Sequence, residues 1–98
     1  MLDRLTAASF DPHRDSIFRA AVGDDDVELR LAAVDRLPAH PGAPRRESFS
    51  LIFSGPPERP LGQRIHRLRH VVLGDLEIFL VPIGPGPEGA ARYEAVFN

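Results

Sequence analysis

Cysteine, tryptophan and lysine are absent from this chain, and all 12 of its basic residues are arginine. Without cysteine there is no disulfide, no thiolate nucleophile and no cysteine-ligated zinc, and the redox compartment is left open. Without lysine there is no Schiff-base chemistry. The arginine-only usage is read as the codon preference of a GC-rich genome, which also favours Ala, Gly and Pro, ahead of selection for bidentate recognition of phosphate or carboxylate. No apolar run approaches the ~20 residues of a membrane-spanning helix. The start, Met1-Leu2-Asp3-Arg4-Leu5, has no secretory apolar region, so a cytoplasmic protein without a membrane partner is expected.

What is present describes an ordinary folded protein. Apolar residues make up 43% of the 98 positions and the net charge is −2, which argues against disorder. A chain of this length is one domain, here 1–98, able to bury roughly 60–70% of its unfolded surface. Twelve of the 18 glycines and prolines fall between Gly55 and Gly89. Nearly all of them separate apolar runs, as in a compact antiparallel β domain.

The runs place six strands. Residues 1–15 form a short helical or irregular segment, with Leu2, Leu5 and Phe10 on one face and Pro12 closing it. Residues 16–22 are a first strand, and Gly23 to Asp26 a turn. Val27, Leu29 and Leu31 then alternate with Glu28 and Arg30. The phase slips at Ala32-Ala33, which predicts a β-bulge. Residues 38–46, with three prolines, are a loop. Phe49, Leu51 and Phe53 point inward, with Ser48, Ser50 and Ser54 outward. Residues 55–63 form a second long connection. The stretch 64–73 fits a helix ending at Gly74, or a strand with His66, Leu68 and His70 on one face. The strand is preferred because Gly74-Asp75 then makes a two-residue hairpin turn, with Val72 opposite Glu77 and His70 opposite Phe79. The run 76–83 is apolar on both faces, hence central, and ends at Pro82. Residues 92–97 are the last strand. The prediction is an all-β fold: a six-stranded antiparallel meander curling into a small barrel, preceded by a short helical segment.

Phe49 to Asn98 resembles a family of small bacterial β domains of unknown function. The resemblance rests on FSLIFSGP, on Arg67 to His70, on LGDLEIFLVPIGP and on the terminal RYEAVFN. It is weaker in the first half, through Phe10, Phe18 and the Gly-Asp turn. It implies a compact β domain of about a hundred residues and, because such domains occur beside phage-tail-collar-like proteins, an accessory role in a phage-tail-like or fibre assembly. It brings no catalytic residues.

Reactive constellations were sought and none stands. Gly84-Pro85-Gly86-Pro87-Glu88-Gly89 spells a dinucleotide-binding loop, but two prolines delete backbone donors and a strand follows, so it reads as a hairpin loop. His13-Arg14-Asp15 matches the start of a kinase catalytic loop, yet Ala20 stands where its Asn belongs. On a strand His66 and His70 lie about 13 Å apart, too far for one metal ion, and His70 is expected to make a structural hydrogen bond at the sheet end. Asp24, Asp25, Asp26 and Glu28 lack a calcium-loop pattern and read as a solvated turn. Arg64, Arg67 and Arg69 have no aromatic interleaving and should pair with carboxylates across the sheet, Glu77 lying diagonal to them. No carboxylate pair or Ser/His arrangement marks an acid–base or nucleophilic site.

The sequence therefore predicts no enzyme, no catalytic, metal or cofactor-binding residue, no cofactor and no nucleic-acid partner. It predicts a structural or protein-interaction module docking another protein through a sheet edge or through loops 38–46 and 55–63. Homo-oligomerisation is left open. The alternative is a small-molecule-binding barrel with a cavity lined by Phe49, Phe53, Phe79 and Tyr93.

Overall fold

The computed structural model describes residues 5–38 and 48–97. They form one short helix, α1 (Ala7–Phe10), and six strands: β1 (Ile17–Val22), β2 (Asp25–Leu37), β3 (Ser48–Gly55), β4 (Arg64–His70), β5 (Gly74–Pro85) and β6 (Ala91–Phe97). All neighbours are antiparallel, and the sheet closes into a barrel in the order β1-β2-β3-β6-β5-β4. The six-stranded antiparallel barrel is as the apolar alternation predicts, and residues 64–70 are strand rather than helix. Leu2 and the loop 39–46 lie outside the described residues.

The strand order is not a simple meander. β1-β2-β3 and β4-β5-β6 are each three consecutive neighbours, but β3 lies beside β6 and β4 beside β1. Residues 56–63 therefore cross one end of the barrel from side to side. Their anchor is Leu61, which is buried and whose backbone N–H donates to the Tyr93 hydroxyl at 2.9 Å. The opposite end is closed by α1 and the single 3-10 turn after it, Asp11–His13. Phe10 is fully buried there, with ring centroids 6.0 Å from Phe49 and Phe97, which stack at 4.6 Å. Arg36 bonds Asp11 at 2.8 Å, and Arg14 donates to the Val34 carbonyl at 3.1 Å, tying this segment to β2.

Inward positions fill the interior: Phe18 and Ala20 on β1, Val27, Leu29 and Leu31 on β2, Phe49, Leu51 and Phe53 on β3, Leu68 on β4, Leu76, Ile78 and Leu80 on β5, and Tyr93 and Ala95 on β6 are all buried. A barrel of six strands has room for side chains and little else. The register shift between Leu31 and Ala33 is the bulge expected at Ala32.

Three details differ from expectation. The β4–β5 turn is Val71-Val72-Leu73, not Gly74-Asp75. Gly74, at φ +79°, pairs with His70, as in a three-residue loop closed by a left-handed glycine. The register moves accordingly: Arg67 faces Glu77 directly and Ile65 faces Phe79. The displacement is an odd number of residues, so Phe79 changes faces. It lies on the outside, half-exposed, and the run 76–83 is buried on one face only, because the wall of a barrel is a single layer. Pro82 does not end β5, which runs to Pro85 through a register shift between Pro82 and Gly84, with Gly84 at φ +96°. Ser48 and Ser50 occupy outward positions yet are buried: Ser50 lies between Asp35 and Val96, whose longer side chains flank its short one.

Candidate functional site

Closing the barrel removes free sheet edges, with one partial exception. β3 and β6 are joined by seven register pairs, whereas β1 and β4 share only Arg19↔Arg69 and Ala20↔Leu68. Beyond these, the pairing leaves a gap: no register pair joins Ala21 and Val22 on β1 to Arg64 to Arg67 on β4. The gap is a groove of about 260 Å³ lined by Ala21, Arg64, Ile65, His66, Arg67 and Glu77. On the outer wall beside it, Ile65 is 61% exposed and its cross-strand partner Phe79 50%, with Val96 also 50% exposed on β6. The sheet edge expected to dock a partner is, in the closed barrel, a half-open join between two strands.

The paired half of that join is held by side chains. His70 is buried at the end of β4, its ring 4.4 Å from that of Phe18 on β1 and 4.7 Å from that of His13. Its Nδ1 accepts the backbone N–H groups of Val72 (3.0 Å) and Leu73 (3.1 Å). The ring proton therefore sits on Nε2 and is donated to Ser16 Oγ at 2.9 Å, and that hydroxyl donates to the His13 carbonyl at 2.5 Å. A Ser–His nucleophile needs the reverse polarity, with the imidazole accepting from the hydroxyl. The structural hydrogen bond expected of His70 is present. Its partner Ser16, 54 residues earlier, could not be read from the sequence, because only the β1–β4 contact brings the two together.

Burial holds the His70 pKa below its ordinary value of 6.5, and the charge of His13 lowers it further. The geometry agrees, since a proton on Nδ1 would face two N–H donors. A histidine whose folded pKa is lowered contributes stability that is complete above the unfolded value and is lost as pH falls through it toward the folded one. Denaturation midpoints should be flat above about pH 7 and fall from about pH 6.5 downward. A His70→Gln variant should show a shallower fall; an identical slope would mean another group is responsible.

The remaining candidates resolve as structural. His66 is buried, and its Nε2 donates to the Gly62 carbonyl at 2.7 Å. Among the described residues no group of three or more His, Cys, Asp or Glu is placed to hold a metal ion. In the turn region Asp25 bonds Arg59 (2.8 Å) and Glu28 bonds Arg19 (2.6 Å). The Asp26 backbone N–H and then Arg59 hold the exposed Asp25 carboxyl below its usual range. Asp15 bonds Arg30 at 2.7 Å. Of Gly84 to Gly89, the first two residues end β5 and the rest form the link to β6, closed by the Gly86 N–H donating to the Ala90 carbonyl at 2.7 Å. Two of the three β4 arginines pair across the sheet, Arg69 with Asp75 at 3.2 Å and Arg67 with Glu77 at 3.9 Å, while Arg64 has no ion pair among the described residues. Of the four residues proposed to line an internal cavity, Phe49, Phe53 and Tyr93 are packed in the core, and Phe79 is outside. No helix among the described residues is long and apolar enough to cross a membrane.

Neither a curated protein nor a solved structure matches the chain. A family described as a domain of unknown function, DUF6916, matches residues 5–97. That span takes in α1, all six strands and the β1–β4 join, and the chain belongs to the DUF6916 family.

Proposed function

We propose that this domain is a non-enzymatic interaction module that receives an extended segment of another protein at the open half of the β1–β4 join. The observation that carries this reading is the contrast in pairing: seven register pairs join β3 to β6, and two join β1 to β4. An unpaired strand edge offers backbone donors and acceptors to an incoming strand, and pockets beside it select side chains. Here the edge is flanked by exposed Ile65 and Phe79, and by Arg64, which has no ion pair among the described residues. The fitting partner is an extended segment carrying apolar and acidic residues in alternation. The pairing of Arg67 and Arg69 with carboxylates disfavours a nucleic-acid partner. The polarity of the Ser16–His70 bond disfavours hydrolytic chemistry. The resemblance to domains found sometimes beside phage-tail-collar-like proteins supports, as part of this proposal, a partner from a phage-tail-like or fibre assembly of a bacterium, met in the cytoplasm.

A photo-crosslinking amino acid at position 65 or 67 tests this in the host cell. The same discrete adduct from both positions, with none from position 36 on the far side of the barrel, is the expected result. Identical adducts from all three positions, or none from 65 and 67, would defeat the proposal.

A further inference from the structure

At the barrel end crossed by residues 56–63, opposite the end where His70 lies beside His13, is a pocket of about 230 Å³. Four prolines, Pro57, Pro60, Pro82 and Pro85, wall it, and Tyr93 and Arg92 are among the other lining residues. Two hydrogen-bond donors here are unused. The Tyr93 hydroxyl accepts from Leu61, and its own O–H has no acceptor among the described residues. The Arg92 side chain has neither an ion pair nor a hydrogen bond among them, and its Nε is buried without a partner. Seven of the nine described arginines stand within 4.0 Å of a carboxylate; the other two are Arg64, which is exposed, and Arg92, whose Nε is buried. The arginine stem lies against the Gly86 backbone in space that a side chain would take: a Cβ there would fall 2.5 Å from Arg92 Cδ and 3.0 Å from Nε. The charge thus sits beside an apolar hollow with its Nε already out of water and without a partner.

We infer that this pocket is a binding site for a carboxylate carried on one small apolar ring. The guanidinium supplies the paired donors that match a carboxylate, and the prolines supply flat C–H walls that make no competing hydrogen bonds. The volume lies below the roughly 300–1,000 Å³ of drug-sized sites, which limits the ligand to about one ring. Two sources share this chemistry, a free aryl carboxylate and the C-terminal residue of a peptide. The site lies outside the filled interior and does not depend on the β1–β4 reading.

The test is a titration of the isotope-labelled full chain, followed by amide and arginine side-chain NMR. The probes are benzoate, benzamide, and a short peptide ending in phenylalanine with a free or an amidated terminus. Benzoate should shift Leu61, Gly86 and Arg92, and benzamide should bind at least about tenfold more weakly, as expected for loss of a charge-assisted hydrogen bond. Arg92→Gln should abolish that preference, and Arg64→Gln should leave it intact. Tighter binding of the free-acid peptide than of benzoate assigns the site to chain termini; the reverse order assigns it to free acids. Equal shifts from benzoate and benzamide in the unaltered chain, shifts centred on Arg64, or no shift at about 20 mM, near the weak limit of specific binding, would overturn the inference.

Discussion

Replacing Phe10 by alanine is expected to remove about 3–5 kcal/mol of stability, the range for truncating a fully buried phenylalanine. For a domain of this size the whole folding free energy is roughly 5–15 kcal/mol, so the variant should be close to unfolding at room temperature. The reason is positional. α1 is a single turn with no stability of its own, and Phe10 is the side chain that fixes it over Phe49 and Phe97. Its loss leaves a void at the barrel mouth and exposes the stacked pair beneath. Phe79→Ala is the control: that ring is half-exposed on the outer wall, and its truncation should cost under about 1 kcal/mol. Urea denaturation of both variants decides the matter. Similar midpoints for the two would show that the N-terminal turn does not close the barrel.

The second large effect is expected at His70. His70→Ala removes the acceptor for two turn N–H groups and the donor to Ser16, at the join with the fewest backbone pairs. A buried donor left without its partner costs about 1–3 kcal/mol, so a total loss of about 2–4 kcal/mol is expected. Ser16→Ala, which keeps the turn bonds, should cost about 1 kcal/mol. Hydrogen exchange gives the more specific reading. In His70→Ala the amides of Val72, Leu73 and β1 should exchange faster, while those of β3 and β6 move only with global stability. Unchanged protection at Val72 and Leu73 would remove the basis for this role.

The strands themselves were legible because a half-buried strand writes its burial into every second residue. Phe49, Leu51 and Phe53 announce an inward face, and the parity slip at Ala32-Ala33 announces a bulge that the register confirms. The β4–β5 register was not legible, because Val71, Val72 and Leu73 have strand composition and sit in the turn, with Val71 and Val72 well exposed. Gly-Asp was the better turn signal by composition; the left-handed position went instead to Gly74 at the end of a longer loop. One misplaced turn moved Phe79 from wall to lining. The β3–β6 and β1–β4 neighbours were beyond sequence reading for a different reason. They depend on where residues 56–63 cross, and Leu61 bonding Tyr93 has no local signature. The half-open join and the Arg92 pocket both follow from that crossing, so neither could be read from the chain alone.

The crossing has one more consequence. Each three-stranded sheet carries on its outer strands the partners the other requires, and the link between them is eight residues long. Drawn out, such a link spans about 26–29 Å, enough to deliver β4-β5-β6 to a neighbouring molecule. Two chains can then exchange these sheets reciprocally and rebuild both barrels with every strand pairing kept, so that the contacts of the link itself, Leu61 with the tyrosine hydroxyl, Arg59 with Asp25 and Gly62 with His66, stand between monomer and swapped dimer at high concentration.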